Sequence, residues 1–256
     1  CQAHVVVPEG VTTIRRYYLS DCGALTVLSL PSSLVTIGAS AFSGTSIASL
    51  ELPDSVSSVG PDAFKYSRLA HIRLSRSLTE LGSSAFRCYR YSWNNNVRFR
   101  SIDLRSSPHV LRVRASTFAS CSRLASVDFG TSLVSIDANA FEGARIEEAI
   151  FPDSLVVIET QAFVNARSLS SITFSASASI RYIGSRAFFG TALTSGTLPF
   201  HTVYEPDAFP ADCVVLRMSA HAPTPPAPLA PPVAPPYPPD GAPPPAPSLP
   251  PLALPG

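Results

Sequence analysis

Apolar residues recur at fixed spacing through most of this chain, with a period of about 22 residues. One phenylalanine, usually preceded by alanine, marks each period. These phenylalanines are Phe42, Phe64, Phe86, Phe118, Phe141, Phe163, Phe188 and Phe209. Aliphatic residues stand five and eight positions before the first seven of them, as Ile37 and Leu34 do before Phe42. Three apolar columns kept in one register over seven periods predict a repeat architecture.

Each period also predicts a short β-strand. Two apolar residues separated by one position, such as Leu50 and Leu52, point to the same face of a strand. Proline directly follows several of these pairs, as Pro53 does, and marks the strand end because it has no N–H to donate. Glycines follow the second apolar column, where we expect a tight bend. They are Gly38, Gly60, Gly82 and Gly184.

These periods are predicted to stack. A single period cannot bury its own apolar face, whereas stacked periods bury it against one another. The sequence therefore predicts a repeat solenoid over residues 1–218, and we call one turn of it a coil. Roughly ten strands form a parallel β ladder without crossover helices, so the fold is mostly β and loop. Val5 to Pro8 open a degenerate first coil, and Val214 to Leu216 form the last strand.

The repeated motif resembles a known family. Over residues 30–53 it reads LPxxLxxIGxxAFxxxxIxxLxLP. It is similar to the BspA-like leucine-rich repeat of bacterial and protist surface proteins, and the similarity covers about residues 4–217. The resemblance implies a leucine-rich-repeat solenoid of about nine to ten coils that is non-enzymatic, often at the cell surface, and active in adhesion or protein binding. The chain departs from the motif at an insertion after Phe86 and at Gly196, where a strand apolar residue is absent.

Residues 219–256 have a different composition. Of the 26 prolines in the chain, 17 fall between Ala222 and Gly256. No lysine or arginine follows Arg217, and Asp240 is the only acidic residue beyond it. This composition predicts a proline-rich, disordered tail with polyproline-like backbone that cannot bury a core.

Charge and motifs narrow the range of functions. Charged residues make up 14% of the chain and the formal net charge is +1, which argues against a nucleic-acid partner. No apolar run is long enough to span a membrane. The sequence contains no catalytic or phosphate-binding motif, and its five histidines are scattered singly. We therefore expect no enzymatic activity, no metal and no cofactor.

Two of the five cysteines are predicted to form a disulfide. They are Cys1, Cys22, Cys88, Cys121 and Cys213. Cys88 lies two residues after Phe86 and Cys121 three after Phe118, so the two face each other across adjacent coils. We predict a disulfide between them in an oxidising compartment; the alternative is two reduced, packed thiols in a cytosolic protein. Cys22 is interpreted as a packed thiol.

The insertion is the first candidate binding surface. The interval from Phe86 to Phe118 is 32 residues, about ten more than its neighbours, and most of the excess lies in residues 87–98. Aromatic and arginine side chains, which interface hot spots favour, are concentrated there. The candidate partner-binding residues are Tyr89, Arg90, Tyr91, Trp93 and Arg98. The alternative is a loop that folds its aromatic side chains onto the flank of the solenoid.

A column of charged strand residues is the second candidate surface. Glu51, Arg73 and Asp103 point away from the core on successive strands and alternate in sign. They either contact a partner or pair with one another across the strands, as exposed charges often do.

The sequence-based hypothesis of function is a non-catalytic binding module. It places the protein outside the cell or on its surface, where it binds a protein or an extracellular-matrix or glycan ligand, with the tail as a spacer. The alternative is an intracellular, cytoplasmic scaffold whose tail recruits polyproline-reading domains. The chain begins at Cys1 without a leader, so we expect a processed, trimmed or fragmentary start. Oligomeric state is not predicted.

Overall fold

The computed structural model describes residues 1–89 and 99–219, and within them the chain forms a parallel β-solenoid without helices. Each coil contributes a long strand of three or four residues and a short strand of two. The long strands are β1 (His4–Val6), β3 (Val27–Ser29), β5 (Ser49–Glu51), β7 (His71–Arg73), β9 (Ser101–Asp103), β11 (Ser126–Asp128), β13 (Glu148–Ile150), β15 (Ser171–Thr173), β17 (Ser195–Leu198) and β19 (Val214–Arg217). The predicted solenoid of coils about 22 residues apart is confirmed.

The short strands lie between the long ones in the chain. They are β2 (Thr13–Ile14), β4 (Thr36–Ile37), β6 (Ser58–Val59), β8 (Glu80–Leu81), β10 (Arg112–Val113), β12 (Ser135–Ile136), β14 (Val157–Ile158), β16 (Tyr182–Ile183) and β18 (Val203–Tyr204). They form two parallel ladders, β2-β4-β6-β8 and β10-β12-β14-β16-β18, and the break between these ladders falls at the insertion.

The long strands pair two by two, as β1-β3, β5-β7, β9-β11, β13-β15 and β17-β19. Register follows the repeat, so Leu50 pairs with Ile72 and Ile102 with Val127. Residues Cys1–Ser219 form one compact unit. The predicted proline-rich tail, residues 219–256, lies outside the described residues except for Ser219.

A stack of phenylalanine rings forms the centre of the core. From Phe42 to Phe209, the eight predicted phenylalanines follow one another with ring centroids 5.1 to 5.8 Å apart and planes 8° to 17° from parallel. The aliphatic columns beside the rings, represented by Leu34 and Ile37, are fully buried. Burial of this continuous apolar column is the main force that holds the coils together.

The tight bend predicted at the repeated glycines is confirmed, because each glycine begins a four-residue turn. The Ala85 N–H, for example, donates to the Gly82 carbonyl at 3.2 Å. The left-handed residue of this turn lies two positions before each phenylalanine from Phe42 to Phe188; examples are Ser40 at φ 53° and Asn139 at φ 58°. The glycines are required because successive coils approach each other closely. A Cβ on Gly82 would lie 2.4 Å from the Gly60 carbonyl carbon and 2.4 Å from the Pro61 nitrogen.

Adding a methyl group at this contact is expected to separate two coils. Gly82→Ala should lower the free energy of unfolding by about 1–3 kcal/mol or more, because the opposing atoms are backbone and cannot rotate away. The matched control is Gly23→Ala, since a Cβ there would meet no atom within 4 Å. Urea denaturation of both variants measures the difference. Equal stability of the two variants would contradict the close approach.

Candidate functional site

The base of the insertion is fixed on its N-terminal side by a disulfide. The structure joins Cys88 to Cys121, with their Cα atoms 4.8 Å apart. Both side chains are buried at the corner that follows the phenylalanine stack, and the Cys88 N–H donates to the Ala119 carbonyl at 3.0 Å. The covalent bond therefore continues the hydrogen-bonded contact between the two coils that flank the insertion.

A second disulfide was not expected from the sequence. The interpretation of Cys22 as a packed thiol is wrong, since the structure joins Cys22 to Cys1 with Cα atoms 5.7 Å apart. Cys1 precedes the first strand and has no place in the repeat, so periodicity gave no signal for this pair. Cys213 is the free cysteine of the described residues, and burial raises the pKa of its thiol.

The insertion is fixed on its C-terminal side by Phe99. Its ring is buried and packs 6.1 Å from the Phe86 centroid and 5.9 Å from the Phe118 centroid. Sequence reasoning missed this residue, although a signal was present. Phe99 stands two positions before a long strand, as the buried Ile47 and Leu69 do in earlier coils.

Two exposed tyrosines stand beside this base. The ring centroids of Tyr66 and Tyr89 are 4.7 Å apart with a 59° angle between their planes, and the two residues are 38% and 54% exposed. The Lys65 ammonium lies 5.2 Å from the Tyr66 ring centroid and 3.0 Å from the Asp62 carboxylate. We call Lys65, Tyr66 and Tyr89 the tyrosine corner. Tyr89 was a candidate from the sequence, whereas Tyr66 was missed.

Tyr66 occupies a backbone position that disfavours it. Its φ is 61°, in the left-handed region, and the equivalent residues of other coils include Gly44, Gly143 and Gly190. For a bulky residue this conformation costs about 1–2 kcal/mol. The repeat imposes this conformation at the same position of other coils, where it is also adopted by Ser120 and Asn165, and Tyr66 is its bulkiest occupant.

The other insertion candidates, Arg90, Tyr91, Trp93 and Arg98, lie outside the described residues. Their assignment to partner binding stays a prediction.

The sequence matches the BspA-type leucine-rich repeat region as six copies over residues 2–90 and 87–213. The chain belongs to the BspA-type leucine-rich repeat family. The two matched stretches meet at residues 87–90, where the insertion begins. The family match therefore extends along the solenoid on both sides of the insertion.

Solved structures share this BspA-type fold. A leucine-rich repeat protein from Bacteroides ovatus is 18% identical, with a TM-score of 0.50 over 84% of this chain and 74% of its own. The pneumococcal vaccine antigen PcpA is 17% identical, with a TM-score of 0.50 over 84% of this chain and 68% of its own. No curated protein sequence matches the chain significantly.

The charged column of the BspA-type coils is brought together only in part. The Arg73 guanidinium contacts Glu51 at 3.3 Å and Asp54 at 3.0 Å. Asp103 does not join them; its carboxylate accepts a hydrogen bond from the Arg105 N–H at 2.8 Å. Hydrogen bonds from Arg73, and then from the backbone of Arg76, hold the pKa of the Asp54 carboxyl below its usual value. Arg73 is therefore already paired with two carboxylates of the protein itself, those of Glu51 and Asp54.

Within residues 1–89 and 99–219, no three His, Cys, Asp or Glu side chains converge as metal ligands. The described residues also include no helix with the length and hydrophobicity to span a bilayer.

Proposed function

We propose that this chain is a protein-binding adhesion module that works outside the cell, and that the tyrosine corner and the adjoining insertion form its contact surface. Repeats of this family are non-catalytic binding modules. The observation that carries the proposal is Tyr66, which keeps an exposed ring against Tyr89 despite a left-handed backbone. Tyrosine offers a large, rigid contact area with little side-chain entropy to lose, so it is favoured at protein interfaces.

Fixing the base of the insertion supports binding. The disulfide at Cys88 and the buried ring of Phe99 hold the two ends of the insertion against one solenoid corner. A preorganised surface loses less conformational entropy when a partner binds, which raises affinity without any new contact. A fixed base would lower this entropy cost in the same way for the predicted partner contacts of the other candidates, Arg90, Tyr91, Trp93 and Arg98.

The disulfides support an extracellular location. Cys1–Cys22 and Cys88–Cys121 each join neighbouring coils. Structural disulfides persist in oxidising compartments and are rare in the cytosol. Protease treatment of intact source cells tests the location: loss of the protein is expected, and full protection would favour the intracellular scaffold instead.

Removing the tyrosine ring is expected to weaken adhesion without unfolding the protein. Tyr66→Gly loses the ring contact with Tyr89, worth about 0.5–1.5 kcal/mol, but relieves backbone strain of similar size. The melting temperature should therefore stay nearly constant. Binding of the labelled full chain to a cell-free fibroblast matrix should fall about tenfold or more, and Trp93→Ala should do the same.

The matched control is Tyr17→Ala, which removes a tyrosine that is 57% exposed in the first coil, at another left-handed position. This variant should bind the matrix like the unmodified chain. Equal losses in the control and in Tyr66→Gly would show that the tyrosine corner is not the contact surface. If the unmodified chain does not bind the matrix at all, adhesion itself is overturned.

A further inference from the structure

The last strand of the solenoid is an open edge. Within the part of the chain that the structure describes, β19 pairs with β17 alone and no later strand covers its other side. The Val214 and Met218 N–H groups donate to carbonyls of the preceding coil at 2.9 and 2.8 Å. Because alternate residues of a parallel strand bond to opposite sides, the N–H and C=O groups of Val215 and Arg217 face away from β17. Unpaired backbone groups of this kind are a template for a further strand.

Exposed apolar side chains flank this edge. Val214 and Leu216 are both more than half exposed and alternate with the half-buried Val215. The residues opposite them on the preceding long strand are the polar Ser195 and Thr197. Most strands in the middle of the solenoid also place serine, threonine or charged residues at these two positions. The end coils of a solenoid usually carry a polar outer face, so an apolar pair at this edge indicates a contact that covers it.

Two further apolar residues enlarge the exposed surface at this end. Phe200 and Val203 are 66% and 64% exposed, and Val203 lies on β18, which pairs with β16 alone. The Arg217 guanidinium donates to the carbonyls of Pro199 and Thr202, which flank Phe200 in the chain. This contact holds the end of β19 against the segment that carries Phe200. We call β18, β19 and Phe200 the open end.

The one charged residue of β19 does not protect the edge. Arg217 stands opposite the buried Leu198 of β17, and its guanidinium lies 5.1 Å from the Tyr204 ring centroid. It therefore covers the end of the core. Proteins usually guard an exposed edge strand with outward charges or a proline, which discourage pairing with another chain. The Val-Val-Leu sequence at the start of β19 offers neither.

We propose that the open end binds a second copy of this chain through antiparallel pairing of the two β19 strands. A two-fold axis at Val215 lets its N–H and C=O bond to those of the other Val215, and sets each Val214 opposite the Leu216 of the second copy. Apolar cross-strand pairs of this kind stabilise a sheet. The same arrangement brings the exposed Asp212 of each copy to the Arg217 end of the other, so the charges are complementary as well.

Sequence composition favours a second copy over the chain's own tail as the partner. Between Ala222 and Gly256 the chain has 17 prolines. Proline has no N–H, so a proline-rich segment cannot supply the row of donors that a paired strand needs. A second β19 supplies four consecutive residues that all carry a donor.

Sedimentation equilibrium of the full chain at micromolar concentrations tests the pairing. A dimer is expected, and Leu216→Asp should weaken the association about tenfold or more, because the carboxylate would face an apolar residue across the strands. The matched control is Ile150→Asp. Ile150 is 63% exposed and is the third residue of β13, as Leu216 is of β19, but β13 lies inside the solenoid. The control adds the same charge away from the open end and should leave the association unchanged.

Hydrogen exchange shows whether the strands themselves pair. The backbone N–H groups of Val215 and Arg217 should be protected in the dimer and should exchange rapidly in the Leu216→Asp variant. Melting temperatures of Leu216→Asp and Ile150→Asp verify that both variants keep the fold.

Four results would overturn the proposal. The first is a monomeric full chain, and the second is an equal loss of association in Leu216→Asp and Ile150→Asp. The third is a dimer whose Val215 and Arg217 amides exchange freely, since another surface would then join the copies. The fourth is a dimer that Cys213→Ser abolishes, since a thiol would then link them. Leu216 lies outside the tyrosine corner, so matrix binding by the monomeric variant would leave the proposed function standing.

Discussion

Replacing Phe141 with alanine is expected to lower the free energy of unfolding by about 3–5 kcal/mol. The Phe141 ring is fully buried and lies 5.4 Å from the Phe118 centroid and 5.1 Å from the Phe163 centroid. Phe129 also packs edge-on against it at 5.7 Å. The substitution leaves a cavity between the Phe118 and Phe163 rings. The remaining contacts between the coils keep them at their spacing, so the cavity cannot collapse fully. Chemical denaturation followed by circular dichroism measures the loss.

Phe209→Ala is the matched control at the end of the stack. The Phe209 ring stacks on one neighbour, Phe188, at 5.2 Å and meets Tyr204 edge-on, and the residue is 7% exposed. Terminal coils have a single neighbour and open more readily, so this variant should cost less than Phe141→Ala. Equal losses at the two positions would be inconsistent with stability that accumulates from coil to coil.

The repeat was predictable because burial selects the same residue type at the same place in every coil. Phe42 and Phe141 occupy equivalent positions in a one-dimensional stack, so a single coil defines the environment of all the others. The break at the insertion was equally visible, as a long interval between Phe86 and Phe118.

Backbone conformation was less predictable than burial. Ser40 and Asp62 adopt left-handed angles, but serine and aspartate are common in many loop conformations. Gly82 begins the predicted bend, but the close approach that also requires glycine there was not foreseen. Glycine suits both a bend and a close approach, and only the structure shows which neighbouring atoms occupy the space.

The candidate surfaces depend on side-chain contacts that cannot be read from equivalent positions of the repeat. Tyr66 and Tyr89 are three-dimensional neighbours without being equivalent positions of the repeat. Asp103 is an equivalent position of Arg73, yet β7 and β9 are not hydrogen-bonded to each other. The long strands pair only two by two along the whole solenoid, so the predicted run of alternating charges stops at the end of the β5-β7 pair.

Removing the disulfide at the insertion is expected to have the second large effect. Cys88 and Cys121 are 33 residues apart in the chain, so their bond closes a long loop in the unfolded state. A loop of this size corresponds to about 3–4 kcal/mol of stability from restricted chain entropy. The double variant Cys88→Ser, Cys121→Ser should lose roughly this amount of unfolding free energy in urea. Cys213→Ser is the control, because Cys213 is free and closes no loop.

The same variant tests whether the disulfide prepares the tyrosine corner for binding. Tyr89 directly follows Cys88, so loss of the bond should free its backbone and weaken matrix adhesion as well as stability. Mass spectrometry of native, unreduced material first verifies the bond, since alkylation of both thiols would show that it is not formed. If the bond is present and the double serine variant is destabilised but adheres normally, the disulfide stabilises the solenoid alone. Weaker adhesion at a temperature where the variant remains folded would link the covalent clamp at Cys88 to the presentation of Tyr89.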